Sequence, residues 1–164
     1  MTHKLTGAGI AIVTPFKTDL SVDHEALKRI VNFNIENGMN YIVISGTTGE
    51  SVTITATEKQ AIIKTIVKAT DKRVPLVLGI GGNNTAQVIA EIQTTDLSEI
   101  DAILSVSPYY SKPTQAGIMA HFEAISKACP IEIVLYNVPG RTGSNMFPQT
   151  IIALANSCKN IVAV

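Results

Sequence analysis

The sequence predicts an α/β protein, a (β/α)8 TIM barrel of which residues 1–164 supply about the first five βα units and the sixth strand. Three observations carry that expectation. Strand-like apolar runs and amphipathic helical stretches alternate about every 30 residues, the length of one βα unit. The strand runs are apolar throughout instead of alternating, which is the pattern of strands buried on both faces of a parallel sheet. Polar, glycine-rich or proline-rich segments follow strands two to five, and parallel strands place such loops together at the carboxyl edge, where ligands bind. An open doubly wound sheet is the competing architecture. It calls for a dinucleotide or phosphate signature, yet Gly79-Ile80-Gly81-Gly82-Asn83-Asn84 lacks the last glycine of G-x-G-x-x-G, and no Walker lysine follows. The chain is therefore read as the N-terminal part of one barrel domain.

Each element has its local reason. Gly9-Ile10-Ala11-Ile12-Val13 is a first strand closed by Thr14-Pro15, and Asp23 caps a helix carrying Leu27, Ile30, Val31 and Ile35 that ends near Gly38. Tyr41–Ile44 is a second strand. Thr55 and Glu58 form a capping box ahead of Ile62, Ile63, Ile66 and Val67. Pro75–Leu78 is the third strand, with a helix from Thr85 that bears Val88, Ile89 and Ile92. Ala102–Val106 is the fourth, with a helix over Gly117–Lys127, and Ile131–Leu135 the fifth. Pro139-Gly140 predicts a turn, Pro148 suits the first turn of a helix bearing Ile151, Ile152 and Leu154, and Ile161–Val164 is the sixth strand.

Composition narrows the function classes. Thirteen basic and thirteen acidic residues cancel, so no field recruits nucleic acid or an anionic membrane. No apolar run approaches the ~20 residues of a membrane span. No signal-peptide pattern precedes the first strand, and Cys129 and Cys158 show no metal-type spacing. A soluble, reduced, cytoplasmic setting is expected.

The chemistry-bearing residues lie in the loops. Gly46-Thr47-Thr48-Gly49-Glu50 offers two hydroxyls and several amides at a strand end, a turn able to hold a small carboxylate. Pro108-Tyr109-Tyr110 brings two phenols to that edge, although paired tyrosines pack more often than they catalyse. Tyr136 ends the fifth strand, and Arg141 follows it as a bidentate carboxylate partner. Together they point to proton relay around a carboxylate substrate. His3, His24 and His121 show no ligand spacing, and His121 is expected to be partly exposed on its helix. Glu50 is read as making a structural hydrogen bond. There is no G-x-S-x-G elbow, and neither a metal nor an organic cofactor is expected.

Gly46-Thr47-Thr48-Gly49-Glu50-Ser51, Pro108-Tyr109-Tyr110-x-x-Pro113 and Tyr136-Asn137-Val138-Pro139-x-Arg141-Thr142-Gly143 resemble the dihydrodipicolinate synthase family. These are pyruvate-dependent aldolases of the superfamily that includes N-acetylneuraminate lyase. The resemblance runs from Gly9 to Val164, in order and at matching spacing. It implies a (β/α)8 barrel that joins pyruvate to aspartate 4-semialdehyde through a lysine Schiff base. It implies Tyr136 as general acid/base, and Thr47 linking it to Tyr110. That tyrosine is donated across the tight interface of a homo-oligomer, a dimer of dimers. Thr48, with the amide of Thr47, would hold the pyruvate carboxylate, and Arg141 that of the semialdehyde. The family's Schiff-base lysine would follow directly on Val164, ahead of further βα units; the lysines present lie before the first strand, in the Tyr109-Tyr110 loop, or in helices and their connections. Lysine-inhibited relatives present a carboxylate at the position of Gln87, so weak or absent inhibition by lysine is expected. The alternatives are a related aldolase acting on a sugar-derived aldehyde and an inactive half-barrel serving as a binding module.

Overall fold

The computed structural model describes residues 4–164, in two compact units, the first ending at Gly79 and the second spanning Ile80–Val164. In the first unit β1 (Gly9–Ala11), β2 (Tyr41–Ile44) and β3 (Leu76–Gly79) run parallel, with Ile10 opposite Ile42 and Val43 opposite Val77. Helices α1 (His24–Glu36) and α2 (Ala56–Thr70) make the crossovers and pack on each other. Both expected caps are present. The Asp23 side chain accepts from the Ala26 amide, while Thr55 and Glu58 close a reciprocal capping box. Leu27, Val31, Ile62 and Ile66 are buried together with Ile42, Ile44, Leu76 and Leu78. Burial of each such side chain contributes about 1.5–3 kcal/mol.

In the second unit β4 (Ala102–Val106), β5 (Glu132–Tyr136) and β6 (Ile161–Ala163) are parallel, Val106 lying opposite Tyr136. Helices α3 (Thr85–Thr94) and α4 (Gln115–Ala128) pack on each other, and the helix Pro148–Ser157 leads into β6. Val88, Ile92, Ile118, Phe122, Ile125, Ile133 and Leu135 form the apolar interior. Within each unit a strand thus gives way to a helix and then to a parallel strand, the βα repeat expected of the barrel class.

Three sequence expectations need correction. His121 is buried, only 4% exposed, because it sits on the same stripe of α4 as Ile118 and Ile125. Its Nδ1 lies 2.8 Å from the Thr85 hydroxyl, its ring meets Phe122 edge-on, and its Nε2 is buried without a partner. Burial holds its pKa down, to about 4. Pro139 and Gly140 belong to one turn of helix, Pro139–Thr142, and not to a plain reverse turn. Proline's fixed φ suits a first helical position, and Gly143 ends the turn at φ +65° with its amide on the Pro139 carbonyl. Finally, β5 alternates: Ile133 and Leu135 are buried, whereas Glu132, Val134 and Tyr136 on the opposite face are partly exposed. The remaining differences are shifts of one or two residues at element ends, with β2 and β4 falling as expected.

The glycines that failed as a nucleotide motif have a packing role. A Cβ on Gly81 would lie 2.6 Å from the Val106 amide nitrogen, so the backbone there approaches β4 more closely than any side chain allows. Asn84, next along, accepts from the Gln87 amide and caps α3.

Candidate active site

The first unit positions Thr47 and Thr48. At the end of β2 the chain passes through Ser45 in the left-handed region, φ +54°, and enters a 3₁₀ turn over Thr47–Gly49. The Gly49 amide closes that turn on the Gly46 carbonyl at 3.1 Å, and Glu50, again left-handed, ends it. Thr47 and Thr48 stand exposed on it, while Gly49 is buried. In a turn of this kind the leading N–H groups have no partner inside the turn and face outward. The hydrogen bonds at Glu50 are made by its backbone, whose carbonyl accepts from the Thr53 amide and hydroxyl, each at 2.9 Å; the side chain, expected to make a structural hydrogen bond, is exposed.

The second unit gathers Tyr110, Tyr136 and Arg141. Tyr136 ends β5, and its carbonyl accepts from the Ser107 amide at 3.0 Å. The Tyr110 amide donates to the Thr142 carbonyl at 3.3 Å, joining the tyrosine loop to the turn that bears Arg141. Tyr110 and Lys112 both have positive φ, +68° and +47°. Non-glycine residues there hold strain that the surroundings must fix. Asn83 helps by donating its side-chain amide to the Tyr109 carbonyl at 3.2 Å, and the Lys112 stem lies against Gly143, where a Cβ would meet its Cε at 3.0 Å. The Tyr110 ring is 88% exposed and Arg141 is exposed as well.

Residues with no assigned role hold the Arg141 segment in shape. Asn137 accepts from the Met146 amide at 3.0 Å and donates to the Asn145 side chain at 2.9 Å, closing residues 137–146 into a loop. The Thr142 hydroxyl donates to the Val138 and Ser144 carbonyls. Gln115, the first residue of α4, accepts from the Phe147 amide at 3.1 Å and from the Thr150 hydroxyl, and donates to the Asn145 carbonyl at 2.8 Å. It thereby pins the start of the following helix, where Phe147 offers no side-chain cap. An amide with a donor and an acceptor, next to a proline-led helix, was the available signal for Asn137. Thr14, whose hydroxyl donates to the Gly49 carbonyl at 2.7 Å, had none.

Among the described residues no group of three His, Cys, Asp or Glu side chains could hold a metal ion. His3 lies outside them. No helix of the described residues is long and apolar enough to cross a membrane. Cys129 and Cys158 are buried free thiols, and burial pushes the Cys129 thiol up.

A parallel βα array whose loops carry a threonine pair, a strand-end tyrosine and an arginine turn agrees with the comparison to known proteins. The family model described as the dihydrodipicolinate synthetase family matches residues 4–164. The chain belongs to that family. It is 56% identical over 158 residues to the 4-hydroxy-tetrahydrodipicolinate synthase of Flavobacterium psychrophilum, covering 96% of this chain and 54% of that protein. The dihydrodipicolinate synthase of Thermotoga maritima superposes with a TM-score of 0.94 at 39% identity, over 98% of this chain and 54% of the other. A monomeric dihydrodipicolinate synthase variant gives a TM-score of 0.93 at 38% identity, over 97% and 53%. The chain thus spans about half the length of the relatives it matches. Its fold is the (β/α)8 barrel of this family, represented here by five βα units and a sixth strand.

Proposed function

We propose that the full-length protein is a 4-hydroxy-tetrahydrodipicolinate synthase, a lyase that condenses pyruvate with aspartate 4-semialdehyde through a lysine Schiff base in lysine and diaminopimelate biosynthesis. The observation that carries the reading is Tyr136 at the end of β5 with Arg141 on the helical turn directly after it, in a chain 56% identical to a synthase of that name. Pyruvate's carboxylate is held by the Thr48 hydroxyl and the Thr47 amide. Its carbonyl forms an imine with the family's Schiff-base lysine. Tyr136 gives a proton to the departing carbinolamine oxygen, so that water leaves, and later protonates the aldehyde oxygen as the new carbon–carbon bond forms. Thr47 passes protons between Tyr136 and Tyr110, the latter donated by a second subunit. Arg141 holds the semialdehyde carboxylate through paired N–H groups, which speaks against a neutral sugar-derived aldehyde.

One barrel domain, a cytoplasmic homotetramer built as a dimer of dimers, and feeble inhibition by lysine belong to the same reading, with no cofactor, nucleic acid or membrane involved. A relative described as monomeric makes the assembly a property to measure in this protein. The test is borohydride reduction of the full-length protein with pyruvate, followed by peptide mass mapping, and a condensation assay with the semialdehyde. A reduced pyruvate adduct on one lysine together with product formation is expected. No adduct, or turnover with sugar aldehydes only, overturns the reading.

A further inference from the structure

Thr14 follows β1 and precedes Pro15, outside every catalytic motif. Its side chain is nevertheless buried, 8% exposed, and its hydroxyl reaches across the first unit to the Gly49 carbonyl at 2.7 Å. Gly49 is the last residue of the 3₁₀ turn that presents Thr47 and Thr48. The contact is close on the backbone side too, since a Cβ on Gly49 would lie 3.0 Å from the Ile12 carbonyl oxygen and 3.5 Å from the Thr14 hydroxyl.

The turn needs such a fastening. It is flanked by Ser45 and Glu50, both at φ +54°, a conformation that non-glycine residues hold only when their surroundings over-determine it. On the entry side, Gly79 does this by bare backbone approach: a Cβ there would stand 2.4 Å from the Ser45 carbonyl oxygen. On the exit side, the Thr14 hydroxyl fixes the plane of the peptide leaving Gly49. A peptide plane held at one end sets where the preceding amides and hydroxyls point.

We propose that Thr14 is a positioning residue for carboxylate binding by Thr47 and Thr48, acting through the Gly49 carbonyl without touching substrate. The inference rests on the assignment of Thr47 and Thr48 to the pyruvate carboxylate made above. It implies a selective defect: losing the hydroxyl impairs pyruvate binding and leaves the aldehyde side, held by Arg141, in place.

The test compares full-length wild type with Thr14→Val, which keeps the shape and deletes the hydroxyl, and Thr14→Ser, which keeps the hydroxyl. Thr14→Val should raise the dissociation constant for pyruvate about tenfold, as expected for a lost buried hydrogen bond, with the KM for the semialdehyde changed by less than about twofold. Thr14→Ser should restore pyruvate binding to within about threefold of wild type. Gly49→Ala, which pushes the turn off the Ile12 carbonyl but spares the hydroxyl, should give the same pyruvate-selective loss, and Thr14→Ala, which also deletes the hydroxyl, decides the matter if Thr14→Val does not fold. Unchanged pyruvate binding in the folded Thr14→Val variant, equal losses for both substrates, or a serine variant as impaired as the valine one would overturn the role of Thr14. Thr48→Val separates the two levels. If it too leaves pyruvate binding unchanged, the carboxylate assignment falls and the inference with it; if it weakens binding while Thr14→Val is silent, only the inference falls.

Discussion

The turn over Thr47–Gly49 and the segment Asn137–Met146 each follow a parallel strand, and each presents residues of the candidate site, yet they are fastened by different means. The first is three residues long and is closed by two backbone bonds, from the Gly49 amide to the Gly46 carbonyl and from the Glu50 amide to the Thr47 carbonyl; glycine packing and one hydroxyl, that of Thr14, hold it. The second is longer; its helical turn closes on the Val138 and Pro139 carbonyls, while the Ser144 and Met146 amides donate to side chains. Its fastening is a net of side chains, with Asn137, Thr142 and Gln115 each serving two or more partners. Loop length decides which solution is available. A short turn needs an external anchor only where its strain concentrates, whereas a long segment must find a partner for each buried amide and carbonyl. Primary amides suit that task because each donates and accepts at once. Injury to the short turn should therefore stay local, and injury to the net should reach both Arg141 and the helix Pro148–Ser157.

The largest effect should come from the residue the long segment springs from. Tyr136→Phe in the full-length protein keeps the ring and removes the phenol proposed as proton carrier, so turnover should fall by roughly 100-fold or more while pyruvate still binds. Steady-state kinetics beside a pyruvate binding titration measure both quantities, and a fall of only a few-fold would leave the phenol a packing residue. Arg141→Ala comes next. It should remove about 2–4 kcal/mol of transition-state stabilisation for the semialdehyde and leave pyruvate binding intact. Equal losses for the two substrates would erase the division of labour between the regions.

Asn137→Ala sharpens the comparison directly, because this side chain is part of the fastening and not of the assigned chemistry. Removing its bonds to Met146 and Asn145 should cost about 1–3 kcal/mol in urea unfolding and raise the KM for the semialdehyde more than that for pyruvate. A variant with wild-type stability would show that the net is redundant.

The smallest effect concerns acid, through the α3–α4 packing of the second unit. Burial lowers the His121 pKa from 6.5 to about 4. With Nδ1 engaged by Thr85, an added proton would leave a buried Nε2–H without an acceptor. The folded value lies below the unfolded one, so the unfolded chain takes the proton first. The stabilisation is present in full above the unfolded value and is lost progressively as pH falls toward the folded one. Between pH 7 and 5.5 it should amount to about 1 kcal/mol. Unfolding free energies across that interval should show a flatter pH dependence for His121→Gln than for wild type, and equal slopes would remove His121 as the cause.

The sequence by itself determined what local chemistry can encode. Asp23, Thr55 with Glu58, and Pro148 mark helix starts because the groups they satisfy or spare lie within one turn of them. Apolar, β-branched runs located the strands, and loop composition located Thr47, Thr48, Tyr110, Tyr136 and Arg141 at or after strand ends. The burial of His121 was legible as well, from its spacing to Ile118 and Ile125, had periodicity been weighed above residue type. Tertiary structure alone decided the fastenings. Thr14 meets Gly49 across 35 residues, Gln115 meets Phe147 across 32, and Gly79 admits the Ser45 carbonyl where no side chain would fit. No short-range pattern announces such partners, because a hydroxyl, an amide or a missing Cβ acquires its meaning only from the atom that folding brings within 3 Å or so of it.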